Sequence, residues 1–513
     1  MKLFTLEDIL GIERQTLTQE SVSLHDIVER GGNAVADAVA SRWLPSQRTV
    51  MFAGPGVNGA YALMAASRLA ERGFSPKVFL FNIGGNSLNE ECRRCRDLLK
   101  VRKSAAEVEE VVTKFNIPEL GASDLVIDGL FGADLRQPLT GGFMSLVRYI
   151  NESDATVVSI DVPSGMCGDW NRNVSLRNVV KAHLTLALQF PRLPFFFADY
   201  AGRVGQWHVL DIGLSKEAAE NRSSSFYLIE DEEVRSILKP RNPFSSKADY
   251  GSACIVAGSY GMTGASVLAC AGALRAGAGK VTLHGPQCAY PIVQGAVPEA
   301  MFTADSDQRV ISGVPSTDRF SAVGIGPGIG TADVTVDAVE NLLKRSKSPM
   351  VLDADALNCI AVRPSLLNFI PMLSVITPHA GEFDRLFGQQ PTHEARLLKA
   401  VEASRKYNLL ILLKGHYTTL VRPDGKIYIN SSGTPAMATP GSGDVLTGVL
   451  TSFIAQGYKP EVAAIIAAYV HGKAGEIAAA EHGQYGVLAS DIAGNIGRAI
   501  MRIMNAPAAG GGE

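Results

Sequence analysis

The stretch "TVMFAGPGVNGAYALMAASRLAERGFSPKVFLFNI", from Thr49 to Ile83, constrains the fold more than any other part of the chain. An apolar run breaks into glycines, a helical pattern follows, and a second apolar run closes the unit. Strand, turn, helix and strand in that order build a parallel sheet, because a crossover helix must return the chain to the same end of the sheet. The pattern recurs in "DLVIDGLFG" and "TVVSIDVPSG", whose polar residues fall at the carboxyl ends of strands. Open α/β sheets bind their ligands at those ends.

A chain of 513 residues is too long for a single core. Around residues 214–226, "LSKEAAENRSSSF" turns polar and reads as a linker. It divides an N-terminal domain, residues 1–215, from a C-terminal domain, residues 226–505. The second domain carries its own glycine-rich strand ends, from "KADYGSACIVAGSYGMTGA" through "AVGIGPGIG", "MVLDADALN", "VITPHAGE" and "LLILLKGHYTTLV". The closing "APAAGGGE" is expected to be disordered.

Composition narrows the function classes. Hydrophobic residues at 46% and charged residues at 19% suit an α/β enzyme, and a net charge of -3 without a basic run argues against nucleic acid as a partner. The N-terminus gains acids within a dozen residues and has no apolar core of a leader, and no segment reads as ~20 apolar residues, so a cytoplasmic protein without a membrane partner is expected. Of seven cysteines, only Cys92 and Cys95 form a CxxC; with no second pair, reduced thiols are expected.

"ATPGSGDVLTGVL" carries the most chemistry. A glycine turn feeding a helix aims backbone N–H groups and the positive end of the helix dipole at one spot, so Gly441 to Asp444 form an anion hole. An acid beside bound phosphate serves best on a proton, as general base for a hydroxyl attacking a phosphoryl group. The alternative is that Asp444 only caps its helix. Asp353 and Asp355 can likewise belong to a metal or polar network or cap a turn. His379 and Glu382 lie three apart at a helix start and can face one ligand, and Lys414 with Gly415 offers a cation and bare backbone to phosphate. "GAGKV" at Lys280 is not a phosphate loop, since Val281 stands where Ser or Thr is required.

Together, "KADYG", "GSYGMTGA", "DADALN", "TPHAGE", "LKGHYT" and "GSGDVLTG" resemble the nicotinamide-nucleotide hydrate dehydratase family, which has a ribokinase-like fold. The resemblance implies repair: a hydroxyl added to the reduced nicotinamide ring of NADH or NADPH is phosphorylated with ADP or ATP, and phosphate then leaves. It further implies that Gly443 and the segment Lys414, Gly415, His416, Tyr417 and Thr418 contact the nucleotide. Ala265, Gly326, Gly328, His379 and Asp444 would line the hydrated dinucleotide, with Mg²⁺ as cofactor and Glu382 in its shell.

"FAGPGVNG", "IDGLFGADLRQPLTGG" and "SIDVPSG" resemble the hydrate epimerase that precedes this dehydratase in many chains. That domain has a Rossmann-like αβα sandwich. The resemblance implies K⁺ at Asn58, Asp128 and Ser164. It also implies a nicotinamide-nucleotide site at Val57, Asn58, Gly59, Ala60, Tyr61, the loop Gly132, Ala133, Asp134, Leu135, Arg136, Gln137 and Pro138, and Asp161. Asp161 is the candidate acid/base, or else it fixes the "DVPSG" turn. The family usually reads Asn-Asn-Gly-Gly-Asp where this chain has Val57 to Tyr61. Ala60 adds a methyl and Tyr61 replaces a carboxylate by a phenol, so slow epimerisation is expected. Resemblance also suggests a homo-oligomer. The competing reading is a ribokinase-like small-molecule kinase fused to a noncatalytic ligand-binding domain.

Overall fold

The computed structural model describes residues 1–101 and 106–506. The chain forms two compact units, Leu3–Ser224 and the residues from Ser225 onward, the latter joined by Met1–Lys2. The polar stretch read as a linker is structured: Lys216–Asn221 is helical, and Leu214 and Ala218 are buried in the first unit's core. The division between the two units falls at its far end, between Ser224 and Ser225. The expected disorder of "APAAGGGE" falls on residues 507–513, outside the described residues, apart from Ala506.

The first unit is built on a seven-stranded sheet in which every pair is parallel. Across the sheet the strands run Glu107–Val111, Lys77–Phe81, Thr49–Ala53, Leu125–Gly129, Thr156–Ile160, Leu184–Leu188 and Gln206–Leu210. The central strands are buried at every position but Thr156, as expected when helices cover both faces. Chain order reverses between Thr49–Ala53 and Leu125–Gly129, and that switch point opens a crevice at the strand ends. Gly54 lies there: a Cβ on it would sit 1.7 Å from the Leu130 carbonyl oxygen, so no other residue fits.

The second unit repeats the winding on an 11-stranded sheet. Ser252–Val256 is flanked on one side by Lys280–Gly285 and Met301–Ala304. On the other side follow Ala322–Ile325, Val351–Leu352, Val375–Ile376 and Leu410–Leu413, all parallel. Thr419–Val421 and Ile427–Asn430 extend the sheet antiparallel, and Phe226–Ile229 follows. Here the switch point lies between Ser252–Val256 and Ala322–Ile325. Lys280 opens a strand, in keeping with the rejection of a phosphate loop there.

Two helices bring the site together. Thr263–Arg275 and Ser442–Ala455 touch backbone to backbone, because Cβ atoms on Gly448 and Gly272 would lie 1.9 Å from the Ala269 oxygen and 2.5 Å from the Val445 oxygen. Pro460–Gly486 packs against Ser442–Ala455. It is long and apolar enough to cross a membrane, contrary to the sequence expectation, because its many alanines count as apolar although none is large. However, 78% of its most apolar window is buried inside the structure, as in a core helix.

Candidate active sites

In the C-terminal unit the two glycine loops meet at the switch point. Gly258 N–H donates to the Pro327 carbonyl at 2.8 Å, Gly326 N–H to Val256 at 3.1 Å, and Ser259 Oγ to Gly328 at 2.8 Å. Gly326 and Gly328 take φ of +136° and +63°, and a Cβ on Gly326 would strike the Asp353 carbonyl at 1.8 Å. A Cβ on Gly328 would lie 3.1 Å from that of Ala265. The loops therefore form a bare backbone wall beside Ala265.

The next strand ends supply the charges. Asp353 is 1% exposed and holds two partners: Lys414 Nζ at 2.7 Å on Oδ1 and Thr447 Oγ at 2.7 Å on Oδ2. Glu382 Oε2 lies 3.6 Å from the same ammonium. Burial works against the Lys414 charge, but Asp353 and Glu382 more than offset it and raise its pKa. Asp353 thus belongs to a polar network. Asp355, by contrast, accepts from Gly330 N–H at 2.9 Å and Asn358 Nδ2 at 3.0 Å, and so caps a turn.

His379 and Glu382 stand together at the start of Ala380–Phe387, as their spacing suggests. They form a reciprocal cap: Glu382 Oε2 accepts from His379 N–H at 2.8 Å, and His379 Nδ1 accepts from Gly381 and Glu382 N–H at 3.0 and 3.3 Å. The His379 side chain is still 54% exposed, with its other nitrogen, Nε2, 3.5 Å from Glu382 Oε1. Residues 415–418 turn between two strands, with Gly415 and His416 exposed and the His416 and Tyr417 rings edge to face at 4.5 Å.

Asp444 stands in the first turn of Ser442–Ala455, whose cap is Gly441 at φ +89°. Its carboxylate accepts no hydrogen bond among the described residues, which removes the capping alternative. Burial first, and then the Asp353 carboxylate, push its pKa up to about 7, against the lowering effect of Lys414. Gly443 lies beside that ammonium: a Cβ on it would be 3.4 Å from Lys414 Nζ.

In the N-terminal unit, a small cavity of about 120 Å³ lies at the switch point. Val57, Asn58, Tyr61, Gly132, Ala133, Asp134, Asp161 and Arg192 line it, and Leu6–Gln19 covers it with Leu6, Ile9, Leu10 and Glu13. Leu135, Arg136, Gln137 and Pro138 are not on its wall. Nor are Gly59 and Ala60: Gly59 packs against Gly54, and the Ala60 methyl points into the hydrophobic core rather than toward a ligand. The helical twist that starts at Val57 turns these two inward, so of Ala60 and Tyr61 only Tyr61 faces the cavity, where Val57 also stands.

Asp161 sits at φ +66°, receives Ala133 N–H on Oδ2 at 2.8 Å, and is gripped on Oδ1 by Arg192 at 2.6 and 3.1 Å. Asp128 is fully buried, which raises its pKa, and accepts from Ser164 Oγ at 2.5 Å, Ser164 N–H at 2.8 Å and Ser159 Oγ at 2.8 Å. Asn58 Nδ2 donates to Ile160, while its buried Oδ1 has no partner.

Profile comparison matches residues 253–498 to NAD(P)H-hydrate dehydratase and residues 24–193 to YjeF-related protein N-terminus. A protein of Moorella thermoacetica, named bifunctional NAD(P)H-hydrate repair enzyme Nnr, is 32% identical, covering 96% of this chain and 95% of the relative. The chain belongs to the bifunctional NAD(P)H-hydrate repair enzymes. A member of the same name from Thermofilum pendens is 31% identical over 93% of this chain and 92% of its own. An ADP/ATP-dependent NAD(P)H-hydrate dehydratase from Bacillus subtilis, co-crystallised with ATP/Mg²⁺, is 31% identical over 54% of this chain and 98% of that one, with a TM-score of 0.48.

Several residues of this repair-enzyme chain that build the two sites carry no sequence signal of their own. Thr447 lies one turn after Asp444, and only the fold shows that it binds Asp353. His471, buried on Pro460–Gly486, bonds through Nε2 to the Ser442 carbonyl at 3.0 Å and so braces the anion-hole turn. Burial drives its pKa down to about 4, keeping it neutral. Arg192 and Glu13 reach the N-terminal cavity from elements without a motif.

Proposed function

We propose that the C-terminal unit dehydrates the hydrates of NADH and NADPH, using ADP or ATP as phosphate donor. The observation that carries this reading is Asp444: an unbonded carboxylate at a helix N-terminus, with a pKa near 7 beside the Asp353–Lys414–Thr447 network. A base poised near neutrality takes a proton from an alcohol most effectively at physiological pH.

The ring hydroxyl of the hydrate loses its proton to Asp444 Oδ as its oxygen attacks the terminal phosphoryl group, and the shortened nucleotide departs. N–H groups at the start of Ser442–Ala455, with Gly443 and Lys414, face the charge that gathers on the phosphoryl oxygens. Phosphate then leaves the ring carbon, the adjacent carbon gives up a proton, and the double bond returns. Mg²⁺, when bound, would neutralise the nucleotide phosphates, and Glu382 would stand in its shell through Oε1, the oxygen that faces His379 Nε2 at 3.5 Å and takes no part in the helix cap. Ala265, Gly326, Gly328 and His379 would seat the hydrated ring, and residues 414–418 the nucleotide.

The N-terminal unit would interconvert the two hydrate epimers, with Asp161 as the acid/base. Asn58 Oδ1, a buried oxygen lacking a donor, fits a K⁺ site completed by Asp128 and Ser164. Tyr61 and the covering helix leave far less space than a dinucleotide fragment fills, so this reaction is slow until the cover moves.

Product stoichiometry tests the dehydratase. One inorganic phosphate should appear per nucleotide consumed and per hydrate lost. Accumulation of a stable phosphate ester would establish a small-molecule kinase instead.

A further inference from the structure

The CxxC pair has a third neighbour that its spacing conceals. One ligand atom each of His25, Glu91 and Cys95 lies within 4.8 Å of the other two in the N-terminal unit. His25 and Glu91 are in direct hydrogen-bond contact, and Cys95 Sγ is 3.6 Å from the same Glu91 oxygen. Cys95 is 1% exposed, and the His25 and Glu91 side chains only 12% and 9%.

We propose that His25, Glu91 and Cys95 bind a zinc-type divalent cation, with the fourth position open to water on the His25 side. The donor set is one thiolate, one imidazole and one carboxylate, a mixture that suits Zn²⁺ and disfavours Mg²⁺ or Ca²⁺, which take oxygen. Bond lengths of ~2.0–2.3 Å around a tetrahedral Zn²⁺ separate neighbouring ligand atoms by about 3.3–3.6 Å. Side-chain rotation of about 1 Å reaches that spacing from the one seen, by parting His25 from Glu91 and drawing in the thiol.

Cys92 is not part of the set. Its sulfur points to the Gly54 carbonyl at 3.5 Å instead. The site is a staple: Glu91 and Cys95 are one turn apart on Glu90–Val101, and His25 is in the first turn of Leu24–Ala40. Both helices pack on Val57–Glu71, and Asn89 N–H bonds to Pro55 in the turn that precedes it. A metal here would therefore fix the wall behind the N-terminal cavity without touching its ligand.

The test is titration of the chelator-treated full-length chain with Co²⁺, followed by absorbance. One equivalent should give tetrahedral d–d bands and a sulfur-to-cobalt charge-transfer band, and Zn²⁺ should displace it. Cys95→Ser should abolish the charge-transfer band, and His25→Gln should weaken binding at least ~100-fold, beyond what loss of an outer-shell partner costs. Cys92→Ser should bind as the unaltered chain does. Oxygen-ligated Co²⁺ elsewhere, such as beside phosphate, would lack the sulfur band. Failure of the folded protein to give that band, or its survival in Cys95→Ser, would overturn the assignment and leave a plain His25–Glu91 hydrogen bond.

Discussion

Lys414 Nζ lies 2.7 Å from Asp353 Oδ1, so this cation of the C-terminal site is already paired before any nucleotide arrives. Its field nevertheless reaches Asp444, whose pKa it lowers. Lys414→Ala should therefore do two things: raise the nucleotide KM and move the ascending limb of the rate–pH profile to higher pH. A change confined to hydrate affinity would show that Lys414 serves the other substrate.

The pH dependence follows from the sign of the Asp444 shift. Asp444 must be ionised to act as base, and burial holds its pKa near 7, so kcat should climb through pH 7 and level off above it. Asp444→Asn should lower dehydration at least ~100-fold while leaving nucleotide binding intact. Near-normal turnover in that variant would remove Asp444 from the chemistry.

The same shift makes a stability statement. Folding raises the Asp444 pKa above its ordinary carboxylate value, so between those two values the native state holds a proton that the unfolded chain has lost. Stability from this group is present at low pH and is lost as pH rises through about 7. Asp444→Asn carries no such penalty, so its Tm should exceed that of the unaltered chain by at least ~2 °C at pH 8, with the gap closing by pH 4. A gap that is constant across this range would mean that the carboxylate is not held out of water.

How far the sequence was legible depended on distance along the chain. Strand ends announced themselves, because an apolar run that stops at Asp, Gly or Lys is a local pattern. The glycine loops were visible for that reason, and Asp444 because a glycine turn runs straight into its helix. The Asp353–Lys414 pair spans 61 residues and the His25–Glu91 pair 66, and neither has a periodicity to betray it. Ala60 and Tyr61 both read as departures, with the phenol of Tyr61 the weightier by charge and volume. Only the helix phase separates them, sending the methyl into the core and the phenol to the cavity. Likewise, nothing in the two halves' motifs announced that both sheets share one winding.

Tyr61 gives the N-terminal unit its own test. Its ring is 6% exposed and packs on Gly31, where a Cβ would lie 2.3 Å from Tyr61 Cε1. In an Asp444→Asn background, which silences dehydration, the R and S hydrates should interconvert only slowly above the uncatalysed rate. Tyr61→Asp should speed the exchange if the ring is the obstacle. Rapid exchange by the chain with Tyr61 in place would show that Leu6–Gln19 opens readily.

The central claim is nucleotide-dependent restoration of the reduced nicotinamide ring, and absorbance of hydrated NADH measures it directly. Incubation with the full-length chain, Mg²⁺ and ADP or ATP should bring back the reduced-ring band, one ring per nucleotide consumed. Omitting the nucleotide or substituting Asp444→Asn should leave the spectrum of the hydrate unchanged. Nucleotide consumption with no return of the band would contradict the account.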